Sequence, residues 1–138
     1  MKIPTKLCST ILVVDDYEPF RRLTCSVLEE MPGILILDEA CDGLEAVQKA
    51  QELRPDLILL DIGMPRLNGI QAARTIRETV PHSKIVFLSQ ETSSDVVEEA
   101  FRLGAFAYVP KVSAGTELTK AVEAARSQSS KQFVKVSR

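Results

Sequence analysis

Five short apolar runs, separated by longer segments with helical spacing, constrain the fold of this chain more than any other feature. The runs lie at residues 11–14, 35–37, 57–60, 85–88 and, more weakly, 106–109. Three of them are unbroken stretches of four hydrophobic residues, too short for helices and without alternation of polar and apolar positions. This pattern is typical of strands buried on both faces, and such strands belong to parallel sheets.

The intervening segments have apolar residues at the spacing of amphipathic helices. The positions that define the predicted helices are Phe20, Leu23, Val27, Leu28 and Met31 on one face of the first, Leu44, Val47 and Ala50 in the second, Ile70, Ala73 and Ile76 in the third, the inward positions Val96, Val97, Ala100 and Leu103 in the fourth, and Leu118, Ala121, Val122 and Ala125 in the fifth. Glu18 and Pro19 mark the start of the first helix, Ser93 or Ser94 caps the fourth, Gly104 stops it, and Thr116 caps the fifth. We therefore expect an α/β fold: a (βα)5 three-layer, doubly wound, parallel five-stranded sheet.

The composition, 45% hydrophobic and 26% charged with a formal net charge of −2, fits one domain without a basic field for nucleic acid or membrane lipid. No apolar run reaches the roughly 18 residues of a membrane span, and the N-terminus lacks a secretory signal. Cys8, Cys25 and Cys41 form no CxxC pair, which argues against a disulfide scaffold or a zinc ribbon. We expect a cytoplasmic domain over 9–127, with a tail over 1–8 and a tail or linker start over 128–138.

Polar side chains follow four of the five predicted strands. Asp15 and Asp16 follow the first, Asp61 the third, Ser89 the fourth, and Lys111 comes just after the fifth. The carboxyl ends of parallel strands share one edge of a sheet, where such folds bind their ligands. Each aspartate alone is explained as well by a turn or a helix cap, but the set predicts one convergent site.

Three carboxylates at one edge repel one another unless a cation lies among them. Mg²⁺ (or Mn²⁺) fits, because it prefers a few carboxylates together with water and phosphate oxygens. The expected ligands are Asp16, Asp61 and the backbone carbonyl of Gly63, with Asp15 binding directly or through water. A Rossmann dinucleotide site is disfavoured, because the turn after the first strand is acidic and lacks glycine.

Asn68-Gly69 opens the third helix and Tyr108 lies in the fifth strand. With these residues and the strand-end set, the chain resembles the receiver domain of two-component response regulators, whose fold is flavodoxin-like and CheY-like. The resemblance spans about residues 9 to 127 and is closest to receivers of LuxR-type helix-turn-helix regulators. It rests on the acidic pair Asp15-Asp16, Asp61 in the segment Leu-Asp-Ile-Gly-Met-Pro, Asn68-Gly69 opening the third helix, Ser89, Tyr108 and Lys111.

The resemblance implies that Asp61 accepts a phosphoryl group from the phosphohistidine of a sensor histidine kinase, with Mg²⁺ and Lys111 assisting. It also implies a switch in which Ser89 bonds the phosphoryl group and Tyr108 turns inward. The output surface would be the face of the fourth helix, fifth strand and fifth helix. A half-buried Tyr108 with its hydroxyl in water is the alternative.

Further implications concern partners. A homodimer would form through that output face or through the first and fifth helices. This domain would not itself bind nucleic acid or membrane. Transcription would be controlled through an output domain absent from this chain, unless the receiver acts alone. The three positive side chains within 131–138 are expected in a solvated tail, with weak nucleic-acid contact as the alternative.

The sequence departs from the receiver pattern around the expected pocket. Val112, not proline, follows Lys111, so no cis bond is expected there. Gln90 and Met64 are predicted at the pocket rim, and Gln90, together with Glu91, is expected to screen a phosphoryl group on Asp61. Gly63 offers no side chain to orient water. The lone His82 is expected in a solvated loop.

Two other functional classes remain open. A phosphatase of the haloacid dehalogenase type also places aspartates at strand ends, but it needs Asp-x-Asp and room for a cap domain. A pseudo-receiver would use the same fold as a phosphorylation-independent interaction or dimerisation module, although it has no need for clustered acids.

Overall fold

The computed structural model describes residues 8–127, and it contains five strands, five α-helices and one 3₁₀ turn within that range. The predicted tail over 128–138 and all but Cys8 of the tail over 1–8 lie outside the described residues. In chain order the elements are β1 (Ser9–Val14), α1 (Glu18–Glu29), β2 (Ile34–Ala40), α2 (Gly43–Leu53), β3 (Leu57–Leu60), α3 (Gly69–Thr79), β4 (Lys84–Ser89), α4 (Ser94–Arg102), β5 (Ala107–Pro110), the 3₁₀ turn Lys111–Ser113 and α5 (Ala114–Ser127).

All five strands are parallel and lie in the order β2-β1-β3-β4-β5, which confirms the predicted fold. Val14 pairs with Leu60, and Leu60 pairs with Phe87, so β1, β3 and β4 end at nearly the same level. The Asp61 amide extends the ladder by donating to the Val14 carbonyl at 3.1 Å. This register places the residues after β1 and β3 side by side.

Alternate residues along the strands face two separate cores. Ile58, Leu60 and Phe87 belong to the core under α2, α3 and α4, whereas Leu59 and Val86 belong to the core under α1 and α5. Because the central strands contact helices on both faces, they are apolar at every position. This accounts for the unbroken hydrophobic runs.

Side-chain caps set the beginning of three helices. Asp42 caps α2 by accepting from the Glu45 amide, Asn68 and Gln71 form a capping box on α3, and Ser93 caps α4. Gly104 follows α4 with a φ of +110°, a conformation that glycine adopts without strain. The predicted starts of α1 and α4 and the stop at Gly104 are thus confirmed.

Two sequence-based assignments to helices were wrong. Thr116 does not cap the fifth helix: α5 begins at Ala114, because the 3₁₀ turn already supplies its first hydrogen-bonded residues. Leu23 was placed on the apolar face of the first helix but is 57% exposed. In α1 the buried line passes through Thr24, Cys25 and Leu28, so Leu23 lies on the flank.

Candidate functional site

The three strand-end aspartates meet at one edge of the sheet. One carboxylate oxygen from each of Asp15, Asp16 and Asp61 lies within 4.8 Å of the others, a spacing that one cation can bridge. Asp15 and Asp61 are 4% and 6% exposed, whereas Asp16 is open to solvent. Hard oxygen donors on a half-open edge suit Mg²⁺ or Mn²⁺, which keep part of their water shell.

The protein environment works against a charged Asp61. Burial, and then the neighbouring charge of Asp15, raise the pKa of the Asp61 carboxyl above its ordinary value. The Lys111 ammonium and hydrogen bonds from the Ser89 hydroxyl and the Ile62 amide oppose that rise. A further positive charge next to the Asp15 and Asp61 carboxylate oxygens would therefore stabilise the charged form of Asp61.

Lys111 is the cation already in place. Its Nζ lies 2.9 Å from Asp15 Oδ2 and 3.4 Å from Asp61 Oδ2, and only 11% of its side chain is exposed. Lys111 therefore pairs with both buried carboxylates, and its shorter contact is to Asp15. Lys111 also lies 4.5 Å from the centre of the Phe20 ring.

Residues of α1 hold the acidic turn. The Tyr17 amide donates to Asp15 Oδ1 at 2.9 Å, and Arg21 Nη1 donates to the Asp15 carbonyl at 2.8 Å. Arg21 Nε also donates to Glu39 Oε1 at 2.7 Å, which ties the turn to β2. The sequence reasoning missed Phe20 as a site residue and Arg21 altogether. Their position in the first turn of a helix that follows the acidic pair was the available signal.

The backbone around Asp61 is closely packed against the start of α3. The Gly69 amide donates to the Ile62 carbonyl at 2.8 Å, and a Cβ on Gly69 would lie 2.0 Å from the Asp61 carbonyl oxygen. Gly63 is exposed, and a Cβ there would meet nothing within 4 Å. Met64, predicted at the rim, is 7% exposed and packs in the core under α2, α3 and α4.

The two predicted switch residues are both buried. Ser89 is 2% and Tyr108 3% exposed. The Tyr108 hydroxyl donates to the Glu91 carbonyl, and the Glu91 amide donates to Ser89 Oγ at 3.2 Å. Burial raises the pKa of Tyr108 to about 12. Tyr108 is therefore not a half-buried residue with its hydroxyl in water, and Glu91 links it to Ser89.

Gln90 is exposed and directly follows Ser89, and its role at the pocket rim stays a prediction. His82 is exposed in the loop before β4, and its Nε2 is 3.2 Å from the Arg54 carbonyl. His82 thus lies near the amino ends of β3 and β4, away from the acidic edge. No cis peptide bond occurs within 8–127.

Comparison with known proteins identifies the family. The model of the response regulator receiver domain matches residues 11–123. The chain belongs to this family. Its relatives include the transcriptional regulatory protein LiaR of Bacillus subtilis, 36% identical over 115 residues, and a protein-glutamate methylesterase/protein-glutamine glutaminase of Alkalilimnicola ehrlichii, 43% identical over 102 residues.

The receiver covers only part of these relatives. The matches take in 83% and 72% of this chain but 54% of LiaR and 26% of the methylesterase. Each relative therefore contains a large region that has no counterpart in this alignment.

Solved receivers share the fold. A LuxR-family response regulator from Aurantimonas superposes with a TM-score of 0.81 at 33% identity, covering 85% of this chain and 84% of that one. The response regulator domain of Thermotoga maritima CheB gives 0.78 at 32% identity, covering 88% and 98%. No helix within the described residues is both long and apolar enough to cross a membrane.

Proposed function

We propose that this receiver accepts a phosphoryl group on Asp61 from the phosphohistidine of a sensor histidine kinase. The observation that carries the proposal is the meeting of Asp15, Asp16 and Asp61 within 4.8 Å, with Lys111 beside two of them. The donor set fits Mg²⁺ or Mn²⁺ bound by Asp16, Asp61 and the Gly63 carbonyl, with Asp15 direct or through water. When bound, the ion would neutralise charge on the transferring group.

The chemical step needs positioning more than acid–base catalysis. A carboxylate oxygen of Asp61 attacks phosphorus, an O–P bond forms, and the P–N bond to the kinase imidazole breaks. The electron pair of that bond returns to the imidazole nitrogen. Lys111 binds a phosphoryl oxygen and offsets its negative charge. Asp61 is thus the phosphoacceptor, assisted by Lys111 and Ser89.

We propose that the signal leaves through Ser89 and Tyr108. A phosphoryl group brings about −1.5 to −2 charge and new acceptor oxygens. The Ser89 hydroxyl, which bonds the Asp61 carboxylate before phosphorylation, turns to one of these phosphoryl oxygens. The Glu91 amide, now bonded to Ser89 Oγ, then loses that partner. Because Glu91 also accepts from Tyr108, the face of α4, β5 and α5 responds.

The relatives support a wider role in transcription. LiaR is named as a transcriptional regulatory protein, and a LuxR-family regulator shares the fold. We propose a cytoplasmic receiver domain over 9–127 that controls transcription through an output domain outside this chain. Homodimerisation would use the α4-β5-α5 face or α1 and α5, and the receiver itself would bind neither DNA nor membrane.

The test is incubation with phosphoramidate and MgCl₂, followed by intact mass. Wild type is expected to gain one phosphate, and Asp61→Asn none, because the amide is a far weaker nucleophile. Asp38→Asn, an exposed acid on β2, is the matched control and should be phosphorylated like wild type.

A second probe separates a poor phosphodonor from an absent function. Beryllofluoride with Mg²⁺ should perturb the NMR signals of Ser89 and Tyr108 in wild type but not in Asp61→Asn. A CheX–CheY complex from Borrelia burgdorferi was crystallised with this same pair. If wild type shows no phosphate gain and no response to beryllofluoride, the proposal is contradicted and the phosphorylation-independent pseudo-receiver is favoured. Steady turnover of phosphomonoesters would favour a phosphatase.

A further inference from the structure

The Lys111 ammonium has three attractive neighbours of two different kinds. The Asp15 and Asp61 carboxylates lie 2.9 and 3.4 Å from Nζ, and the centre of the Phe20 ring lies 4.5 Å away. An ammonium this close to a ring is attracted by the negative face of the π system. The contact joins the first turn of α1 to the residue that follows β5.

The carboxylates are unreliable anchors for Lys111 during the proposed reaction. They are the oxygens expected to bind a divalent cation, and Asp61 is itself consumed as the nucleophile. A metal ion at those oxygens competes with the ammonium and repels it. The Phe20 ring offers no oxygen to a hard cation, so its attraction for Lys111 is retained when the carboxylates are engaged.

The Phe20 ring is itself held in place by packing. It is half-buried against the core under α1 and α5, which also contains Leu28 and Leu118. The adjacent Arg21 fixes this turn of α1 to the Asp15 carbonyl and to Glu39. The ring is therefore a fixed surface against which a long, flexible lysine side chain can rest.

We propose that Phe20 is a positioning residue that holds the Lys111 ammonium at the pocket while a divalent cation and the phosphoryl group occupy the carboxylates. This inference rests on the proposed phosphoacceptor function. It predicts that an aromatic ring at position 20 is needed to hold the Lys111 ammonium at the pocket, and that an aliphatic side chain of similar bulk does not hold it there.

The direct readout is the ring-current shift of the Lys111 side chain. In wild type the Lys111 ε-methylene protons, assigned by their absence from Lys111→Arg, should lie upfield of exposed lysines both with and without Mg²⁺. The upfield shift should vanish in Phe20→Leu and return in Phe20→Trp. Absence of that shift in wild type, or its loss on addition of Mg²⁺, would overturn the inference.

The second readout is the rate of phosphorylation by phosphoramidate at saturating Mg²⁺. Phe20→Leu should be about fivefold slower, the factor expected for one lost cation–π contact, and Phe20→Trp should restore the rate. Phe106→Leu is the matched control, because Phe106 lies in the same core and has Lys84 5.3 Å from its ring, away from the acidic edge. Its rate should stay close to that of wild type.

The two readouts separate the inference from the function on which it rests. If wild type is phosphorylated and Phe20→Leu is phosphorylated at the same rate, the inference is overturned and the phosphoacceptor function stands. Equal slowing in Phe20→Leu and Phe106→Leu would mean that the ring acts only through packing, which also overturns it. No phosphorylation of any variant would instead overturn the proposed function, and the ring-current shifts alone would then decide whether Phe20 holds Lys111.

Discussion

At single positions of this site, the atoms within a few ångströms determine which side chain fits. Gly69 illustrates this, because α3 begins directly against the backbone of Asp61. A side chain there meets main-chain atoms, which cannot rotate away as a flexible side chain can. Gly63, two residues past Asp61, has open space around it instead. The same residue type thus has a packing role at one position and none at the other.

Gly69→Ala should therefore lower the free energy of unfolding by about 1–3 kcal/mol, the usual range for overpacking, and slow phosphorylation of Asp61. Gly63→Ala, the matched control, should change stability by less than about 0.5 kcal/mol. Urea denaturation and phosphate gain by mass would measure both effects. Equal stability of the two variants would show that α3 yields to the added methyl group.

The three cysteines should differ in reactivity. Cys8 and Cys41 are exposed, whereas Cys25 is buried in α1, and burial raises its pKa to about 11. At pH 8 only about one Cys25 thiol in a thousand is ionised, so a thiolate-specific reagent should modify two thiols quickly and the third only after unfolding in urea. Fast modification of three thiols in the native protein would contradict this burial.

At the scale of elements, helix caps connect the loops that form the site. Asp42 caps α2 through the Glu45 amide at 2.8 Å and also accepts from Arg66 Nη2, in the β3–α3 loop, at 3.0 Å. The hydrogen bond from the Glu45 amide, and then Arg66, lower the pKa of Asp42 below its ordinary 3.8. One carboxylate thus stabilises a helix and the loop that follows Asp61.

Asp42→Ala should cost about 1–2 kcal/mol of unfolding free energy, as for other lost caps. Asp42→Asn keeps the cap and loses only the charge. Because folding lowers this pKa, the contribution of the charge is present above the ordinary pKa and lost as the pH falls through the folded-state pKa. Urea denaturation should show that the free energies of unfolding of wild type and Asp42→Asn differ near pH 6 and converge in acid, as the pH falls through the lowered pKa of Asp42. A difference that persists in acid would contradict this assignment.

At the scale of the whole molecule, the acidic edge is connected to the face of α4, β5 and α5. Ser89 ends β4, Glu91 lies in the next loop, and Tyr108 lies in β5 with its ring centre 5.9 Å from that of Phe87. The hydroxyl of Tyr108 and the amide of Glu91 are the polar links in this series. A displacement of Ser89 therefore reaches Tyr108 in β5 through two hydrogen bonds, both made by Glu91.

Tyr108→Phe removes the bond to Glu91 but keeps the ring in the core. We expect a loss of about 1 kcal/mol in stability and faster hydrogen exchange of the amides at 90–93. Tyr17 is an exposed tyrosine in the β1–α1 turn. Tyr17→Phe is the matched control and should change neither the stability nor the hydrogen exchange at 90–93. Unchanged exchange in Tyr108→Phe would show that this hydroxyl does not hold the loop.

Much of the architecture and most of the candidate site are determined by the sequence. The alternation of apolar runs with helical periods requires a parallel sheet, and parallel strands bring their carboxyl ends to one edge. Asp15, Asp16, Asp61, Ser89 and Lys111 therefore identify the site without coordinates. The period of an apolar pattern is a local property, and it predicts strands and helices for that reason.

Only the tertiary structure decided how those elements face one another. The rotation of α1 turns Leu23 outward and brings Phe20 to Lys111, and the strand order brings Arg21 to Glu39. The tight approach of α3 makes Gly69 necessary, and the loop after β4 brings the Glu91 carbonyl to Tyr108. Each of these contacts joins residues whose separation along the chain carries no periodic signal. They depend on helix rotation and close packing, which are set by the whole fold at once.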